Sequence, residues 1–411
     1  MGKRATAICL VFAVLWSVPW AVPWNGGREA PWPVAHAAAA SLAGPEDGII
    51  LASPDGEVLY SENASRMLVP ASILKILTAL VAFEHLGPDY RFPTDFFIDP
   101  DGNLIIRGYG DPFLVSETVA EIAGRLSESI GTVNDVVIDG SFFEAVVIPG
   151  TGSSLRSFDA PVGALCVNFN TVYFRTENGR PRSAEPQTPL LPLAEKRIRT
   201  ADAGDGRILL SPDARDAARY AGELFAYFLE ENGVRINGEI RFGKKDDAEG
   251  LALIYRHRPD TDVTGLVRLM MEHSNNFIAN QLLLAAGAKA YGAPATLDKG
   301  VKAARAYAGS LGIDPDIVEG SGISRANRFS AEMMLPVLEA FAPHYQLLQR
   351  RGDVYFKTGT LSGIQTRAGY IRKKNNGGDG GALYPFAVLI NTWGKPADPV
   401  VDRLAARPET R

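Results

Sequence analysis

Val69-Pro70-Ala71-Ser72-Ile73-Leu74-Lys75-Ile76-Leu77-Thr78-Ala79-Leu80-Val81-Ala82-Phe83 opens with a proline and continues without a polar face until the chain reaches Gly87-Pro88. Proline pre-sets a first helical turn and Gly-Pro stops one, so the stretch predicts a helix buried on all sides. Within it Ser72 and Lys75 stand three residues apart, on one face and about a turn from each other. An amine set among Ile73, Leu74, Ile76 and Leu77 is costly to bury in its charged form. Burial lowers its pKa, and a neutral amine can take the proton of Ser72 and turn that hydroxyl into a nucleophile. A plainer alternative has Lys75 snorkel to solvent and Ser72 merely begin the helix; a bare Ser-x-x-Lys does not decide between them.

Two further polar clusters interrupt apolar surroundings. Ser274-Asn275-Asn276 lies between Leu269-Met270-Met271 and Phe277-Ile278-Ala279. Short polar side chains compete with the helix backbone, so three together mark a break, a cap or a site. Lys357-Thr358-Gly359-Thr360 closes the β-like run Asp353-Val354-Tyr355-Phe356. There Gly359 permits close backbone approach, and a cation with two hydroxyls on a strand edge can hold a carboxylate while an extended peptide adds as a further strand. Read singly, these are a helix junction and an ordinary strand end. Ser-x-x-Lys, Ser-x-Asn and Lys-Thr-Gly in this order are the signature of active-site-serine penicillin-binding proteins and β-lactamases.

Around these motifs, 48–53 and 57–60 read as two strands about the turn Pro54-Asp55-Gly56. Residues 90–255 change texture to short β-like runs at 103–107, 136–139 and 167–174, with helices at 116–130 and 214–232. We read this region as an inserted accessory domain. The polar stretch 176–206 is expected to be a loop or a small nested sub-domain within roughly 150–210. Helices follow at 261–288, 299–311 and 330–341, then strands at 354–358, 368–371 and 386–391. A starting hairpin, central helices and three closing strands predict an α+β catalytic domain made of 38–89 and 256–411, its one sheet combining both ends of the chain.

The chain has 411 residues, 46% hydrophobic and 22% charged, the balance of a folded protein with a large core. A net charge of −5 disfavours nucleic acid as a partner, because phosphate neutralisation needs a dense basic surface. Lys3 and Arg4 precede an apolar run, and Ala35-His36-Ala37 offers a cleavage site, so 1–37 is expected to be a secretory signal. A retained anchor is the alternative, and peripheral membrane contact stays open. Of two cysteines, Cys9 falls in this leader, leaving Cys166 as a small buried hydrophobe without a disulfide partner. His36, His85, His257, His273 and His344 lie outside any Gly-x-Ser-x-Gly context and are expected at helix ends or on the surface. No metal-ligand spacing or Walker loop is present, so no metal and no cofactor are expected.

Beyond the three motifs, several segments together resemble one family. These are the Ser72 and Ser274 segments, Asp159-Ala160-Pro161-Val162-Gly163-Ala164-Leu165 with Asn168-Phe169-Asn170, Glu319-Gly320-Ser321-Gly322-Ile323-Ser324-Arg325, and Lys357-Thr358-Gly359-Thr360-Leu361. The family is that of the D-alanyl-D-alanine carboxypeptidases/endopeptidases, the class C low-molecular-mass penicillin-binding proteins. The resemblance implies a penicillin-binding transpeptidase/β-lactamase-like domain split by a β-rich insertion, acting on peptidoglycan stem peptides outside the bacterial cytoplasm, in the periplasm or cell wall, and trapped by β-lactams. It implies Ser72 as nucleophile, Lys75 as base and Ser274 as proton relay. Asn276, Lys357, Thr358, Gly359 and Thr360 would bind substrate, and the amides of Ser72 and Thr360 would form an oxyanion hole. Val137-Ile138-Asp139-Gly140 resembles a segment whose Asp meets the peptide side chain, making Asp139 a candidate specificity residue; as a plain Asp-Gly turn it would be structural. A serine β-lactamase shares the motifs. Its class A form needs a Glu four residues before an Asn, and here Glu272 and Asn276 overlap the second motif. A non-catalytic peptidoglycan or β-lactam binder would keep the same fold.

Overall fold

A computed structural model describes residues 41–410 apart from 153, 202–203, 246–248 and 375–380. The expected leader and its cleavage site lie outside the described residues. The hairpin forms as β1 (Asp47–Ala52) and β2 (Val58–Glu62), and a 3-10 turn at Ala71–Leu74 leads into α1 (Lys75–His85).

The chain then leaves for a second lobe. It runs through β3 (Thr94–Ile98), β4 (Leu104–Gly108), α2 (Ser116–Ser127), β5 (Thr132–Val133), β6 (Val136–Asp139), β7 (Thr171–Glu177), β8 (Arg180–Ser183), α3 (Pro192–Ala201), β9 (Gly206–Leu209), α4 (Ala214–Glu231), β10 (Arg235–Ile236), β11 (Ile240–Phe242) and β12 (Ala252–His257). The return comprises α5 (Val263–His273), α6 (Asn276–Tyr291), α7 (Leu297–Ser310), α8 (Met334–Phe341), β13 (Gln349–Arg351), β14 (Val354–Leu361), β15 (Ile364–Lys374), β16 (Gly381–Ile390) and α9 (Asp398–Ala405).

The closing strands and the opening hairpin share one sheet of order β13-β14-β15-β16-β1-β2. Its junction is antiparallel, with Asp47 opposite Ile390 and Leu51 opposite Phe386. Strand alternation sends Ile49, Leu51, Val388 and Ile390 to one face, where Val400, Val401 and Leu404 of α9 cover them. Ile50, Ala387 and Leu389 face the other side, against the core of α1, α5, α6 and α8. α6 is buried all round along Phe277–Ala288, mostly apolar but with Asn280 and Gln281 inside, as a central helix near a site can be.

The second lobe holds a sheet of order β11-β6-β4-β3-β12. Phe96, Ile106 and Ile138 point into a core shared with Val119, Ile122, Leu224 and Phe225 of α2 and α4. The stretch 176–206 is more ordered than its polarity suggests. It contributes β8 and α3, and β8-β7-β9 make a three-stranded sheet. Ala194 and Ile198 supply α3 with enough apolar surface to dock.

Three expectations shift. The strand expected over 167–174 begins only at Thr171, because Asn168, Phe169 and Asn170 adopt left-handed φ values of 50°, 57° and 54°. The Asn168 carboxamide accepts from Ser116 N and that of Asn170 donates to Pro161 O, contacts that hold this turn. The helix expected from 330 starts at Met334, after a turn in which Ser330 Oγ accepts from Met333 N. His257 is buried on β12 and not surface-exposed, and burial lowers its pKa. Cys166 is buried as expected, its thiol pushed up to about 12.

Candidate active site

Ser72 sits on the 3-10 turn and not in the α-helix proper, immediately after Ala71, whose φ of +48° lies in the left-handed region. A non-glycine residue there is strained, and the surroundings must hold it. They do so from the C-terminal part of the chain. Asn391 accepts from Val69 N at 3.0 Å and donates to Val69 O, while Thr366 Oγ1 donates to Pro70 O at 2.7 Å. Gly359 and Gly322 close in on the turn itself. A Cβ on Gly359 would lie 2.1 Å from Thr366 Oγ1 and 2.9 Å from Ser72 N, and one on Gly322 would lie 1.9 Å from Ala71 O. These glycines are where the strand and the loop touch the nucleophile's backbone.

Lys75, the first residue of α1, is completely buried. Its Nζ lies 3.0 Å from Ser72 Oγ, 2.7 Å from Asn276 Oδ1 and 2.6 Å from Ser321 O. Asn276 Oδ1 and Ser321 O only accept, so they take the two N–H bonds of a neutral amine and leave its lone pair toward the Ser72 hydroxyl. Burial lowers its pKa from 10.5 to about 7, opposed by the charge of Glu319. The snorkelling alternative is thereby removed.

The Ser274 cluster breaks the long helix as its composition implies. Ser274 ends α5 with a left-handed φ of 50°, and the Asn275 side chain caps α6 by accepting from Ile278 N. The cap aims the next residue, Asn276, at Lys75. Lys357 is also completely buried, and its Nζ donates to Thr358 O at 2.9 Å. Burial, with the charges of Lys75 and Arg367, holds its pKa well below the usual lysine range. A buried amine held this way gains its charge most readily when an anion comes beside it. β13 pairs with β14 only through Phe356, so among the described residues Lys357–Leu361 keep an open strand edge, with Thr360 exposed.

Asp139 is not brought to this cluster. It is buried in the second lobe, where it accepts from Ser141 N and Lys245 N at 2.9 Å and pairs with Arg107 at 3.3 Å, the arrangement of a structural turn. Sequence reasoning assigned no role to Glu319 or Asp111. Asp111 is buried with Oδ1 accepting from Phe113 N and Oδ2 lacking a partner, and burial raises it to about 7. The polar segment Gly110-Asp111-Pro112 reads as a loop, which hides the burial. Among the described residues, no cluster of three His, Cys, Asp or Glu is set to hold a metal ion, and no helix is long and apolar enough to cross a membrane.

The family model of the D-Ala-D-Ala carboxypeptidase 3 (S13) family matches residues 34–209 and 207–349. Lys357 lies beyond these stretches; what ties its strand to the site is the approach of Gly359 to Ser72 N and the charge interaction of Lys357 with Lys75. A D-alanyl-D-alanine carboxypeptidase of Actinomadura sp. strain R39 is 27% identical, across 89% of this chain and 82% of its own. The crystal structure of penicillin-binding protein 4 from Haemophilus influenzae superposes with a TM-score of 0.71 at 21% identity, covering 85% of this chain and 91% of that one. The same protein complexed with a β-lactam gives 0.66 at 21% identity, with coverage of 85% and 90%. Matched over well more than half its length, the chain belongs to the D-Ala-D-Ala carboxypeptidase 3 (S13) family.

Proposed function

We propose that the chain is a serine D-Ala-D-Ala carboxypeptidase/endopeptidase that cleaves peptidoglycan stem peptides through an acyl-enzyme on Ser72 and is inhibited by β-lactams. The observation that carries the reading is the buried Lys75 amine, both N–H bonds engaged, 3.0 Å from Ser72 Oγ. Lys75 takes the Ser72 proton as Oγ attacks the carbonyl of the D-Ala-D-X bond. The amides of Ser72 and Thr360 receive the developing oxyanion, worth a few kcal/mol per donor. Ser274 passes a proton to the leaving amine, the C–N bond breaks, and water then hydrolyses the Ser72 ester. Asn276 orients the substrate amide. Lys357, Thr358 and Thr360 take the terminal carboxylate as the peptide lies along the open edge of β14, with Gly359 giving the room.

Export to the periplasm or cell wall accords with the leader expected from the sequence and with this substrate. A β-lactamase reading gains nothing here. Glu272, two residues before Ser274, has an exposed side chain, and the buried Glu319 has its oxygens occupied by protein donors. The test is incubation with a fluorescent penicillin, a pentapeptide muropeptide and its cross-linked dimer, followed by mass analysis. A stable adduct that disappears in Ser72→Ala, with released D-alanine, is expected. Rapid turnover of the penicillin with no D-alanine from either muropeptide would overturn it. In the wild type, acylation should fall about tenfold per pH unit below about 7, as Lys75 becomes protonated.

A further inference from the structure

Glu319 is completely buried in the loop between α7 and α8, and no step of the reaction above uses it. Its oxygens collect six hydrogen bonds. Oε2 accepts from Ser321 N and Ser321 Oγ at 2.6 Å and from Asn280 Nδ2 at 3.2 Å. Oε1 accepts from Gly322 N at 2.7 Å, Ser324 N at 3.3 Å and Asn327 Nδ2 at 2.6 Å. Only a carboxylate offers acceptors on both sides; an amide would turn its NH2 against three donors. The loop so gathered is pinned to the helices on either side, by Thr78 Oγ1 donating to Gly320 O and Gly320 N donating to Asn280 Oδ1. It ends with Ser321 O 2.6 Å from Lys75 Nζ.

The groups facing Lys75 divide by element. Ser72 comes from its own turn and Asn276 from α6, both neutral. Lys357 of β14 is a nearby positive charge, with Arg367 of β15 acting on it in turn. Glu319 supplies the opposing negative charge.

We propose that Glu319 is a positioning residue for acylation: it fixes the Ser321 carbonyl against the Lys75 amine and places behind that amine the negative charge that compensates the ammonium formed when Ser72 gives up its proton. The proposal rests on the acyl-serine reading, and its test separates the two. Acylation by a fluorescent penicillin is followed from pH 5 to 9 for the full chain, for Glu319→Gln and for Glu319→Asp, with thermal melts to confirm folding and Ser72→Ala as the control. Glu319→Gln should lower the plateau rate by about 100-fold through the misplaced carbonyl and move the acidic limb about one pH unit lower, since the opposing charge is gone. Glu319→Asp keeps the charge and should restore the limb to the wild-type position while the plateau stays reduced. If Glu319→Gln does not fold, Glu319→Asp decides alone: a wild-type plateau overturns the proposal, and so does a limb displaced by a full unit. A folded Glu319→Gln with the wild-type limb also overturns it, leaving Glu319 a structural knot. Absence of a Ser72 adduct in the wild type sinks the parent reading instead.

Discussion

In the second lobe, buried charge is answered by charge in direct contact; in the cleft, among the described residues, it is answered only from a distance. Asp95 receives Arg256 through Nε at 2.5 Å and a second nitrogen at 2.7 Å, with Tyr109 OH at 3.0 Å, and Asp139 is closed off by Arg107 and two backbone amides. Lys75 and Lys357, equally buried, make hydrogen bonds among the described residues only to carbonyls, a carboxamide and a hydroxyl, with Glu319 as the opposing charge behind Lys75. A paired interior charge stabilises a fold. An underpaired one costs stability and is kept for what it does to a substrate.

The comparison can be broken at four places. Lys75→Met should reduce penicillin acylation by about 10³-fold or more, the loss of a general base, with little net change in melting because Asn276 and Ser321 O lose their donor as the buried amine disappears. Loss of folding instead would mean that Lys75 is a structural strut.

Lys357→Met should cost about 100-fold in kcat/KM on a pentapeptide with a free terminal carboxylate, yet raise unfolding free energy by about 1–2 kcal/mol. Chemical denaturation and steady-state kinetics together test this, and destabilisation would place Lys357 with the paired charges.

Asp139→Asn should do the reverse: about 2 kcal/mol of stability lost, because an amide cannot accept all that the Asp139 carboxylate accepts from Ser141 N, Lys245 N and Arg107, and acylation unchanged in the folded protein. Unchanged melting with weakened peptide cleavage would restore Asp139 to a substrate contact.

The smallest effect is expected at Asp111, the exception in which a carboxyl at the edge of the second lobe lacks a partner for Oδ2. Burial raises its pKa from 3.8 to about 7, so the folded state keeps a proton that the unfolded chain releases, and stability falls as pH rises from about 4 to about 7. Asp111→Asn should flatten that slope and add about 1–2 kcal/mol at pH 8, read from melts across pH. An unaltered slope would show the carboxyl to be compensated after all.

What could be read from the chain alone follows from the range of each interaction. Ser72 and Lys75 were legible because their contact spans three residues and their apolar neighbours force the amine inside. The Ser274 break was legible because three short polar residues cannot continue an apolar helix, and the Asn275 cap is local. Glu319 was not, since its donors come from Asn280 and Asn327 as well as its own loop, and nothing local marks a Gly-Ser segment as interior. The left-handed turn of Asn168–Asn170 was missed for the same reason: Ser116 and Pro161, which hold it, are remote or across a bend. In 176–206 the charged residues masked the few apolar ones that let α3 dock.

The clamp of Asn391 on Val69 spans 322 residues, and the pairing of Asp47 with Ile390 is as distant. Such contacts form late, because closing a long loop precedes any reward from it. Until the closing strands arrive, the strained turn at Ala71 lacks the contacts of Gly359, Thr366 and Asn391. While the segment near residue 390 is still unmade, the nucleophile and its clamp are two separate halves, and only their meeting gives the turn its working shape.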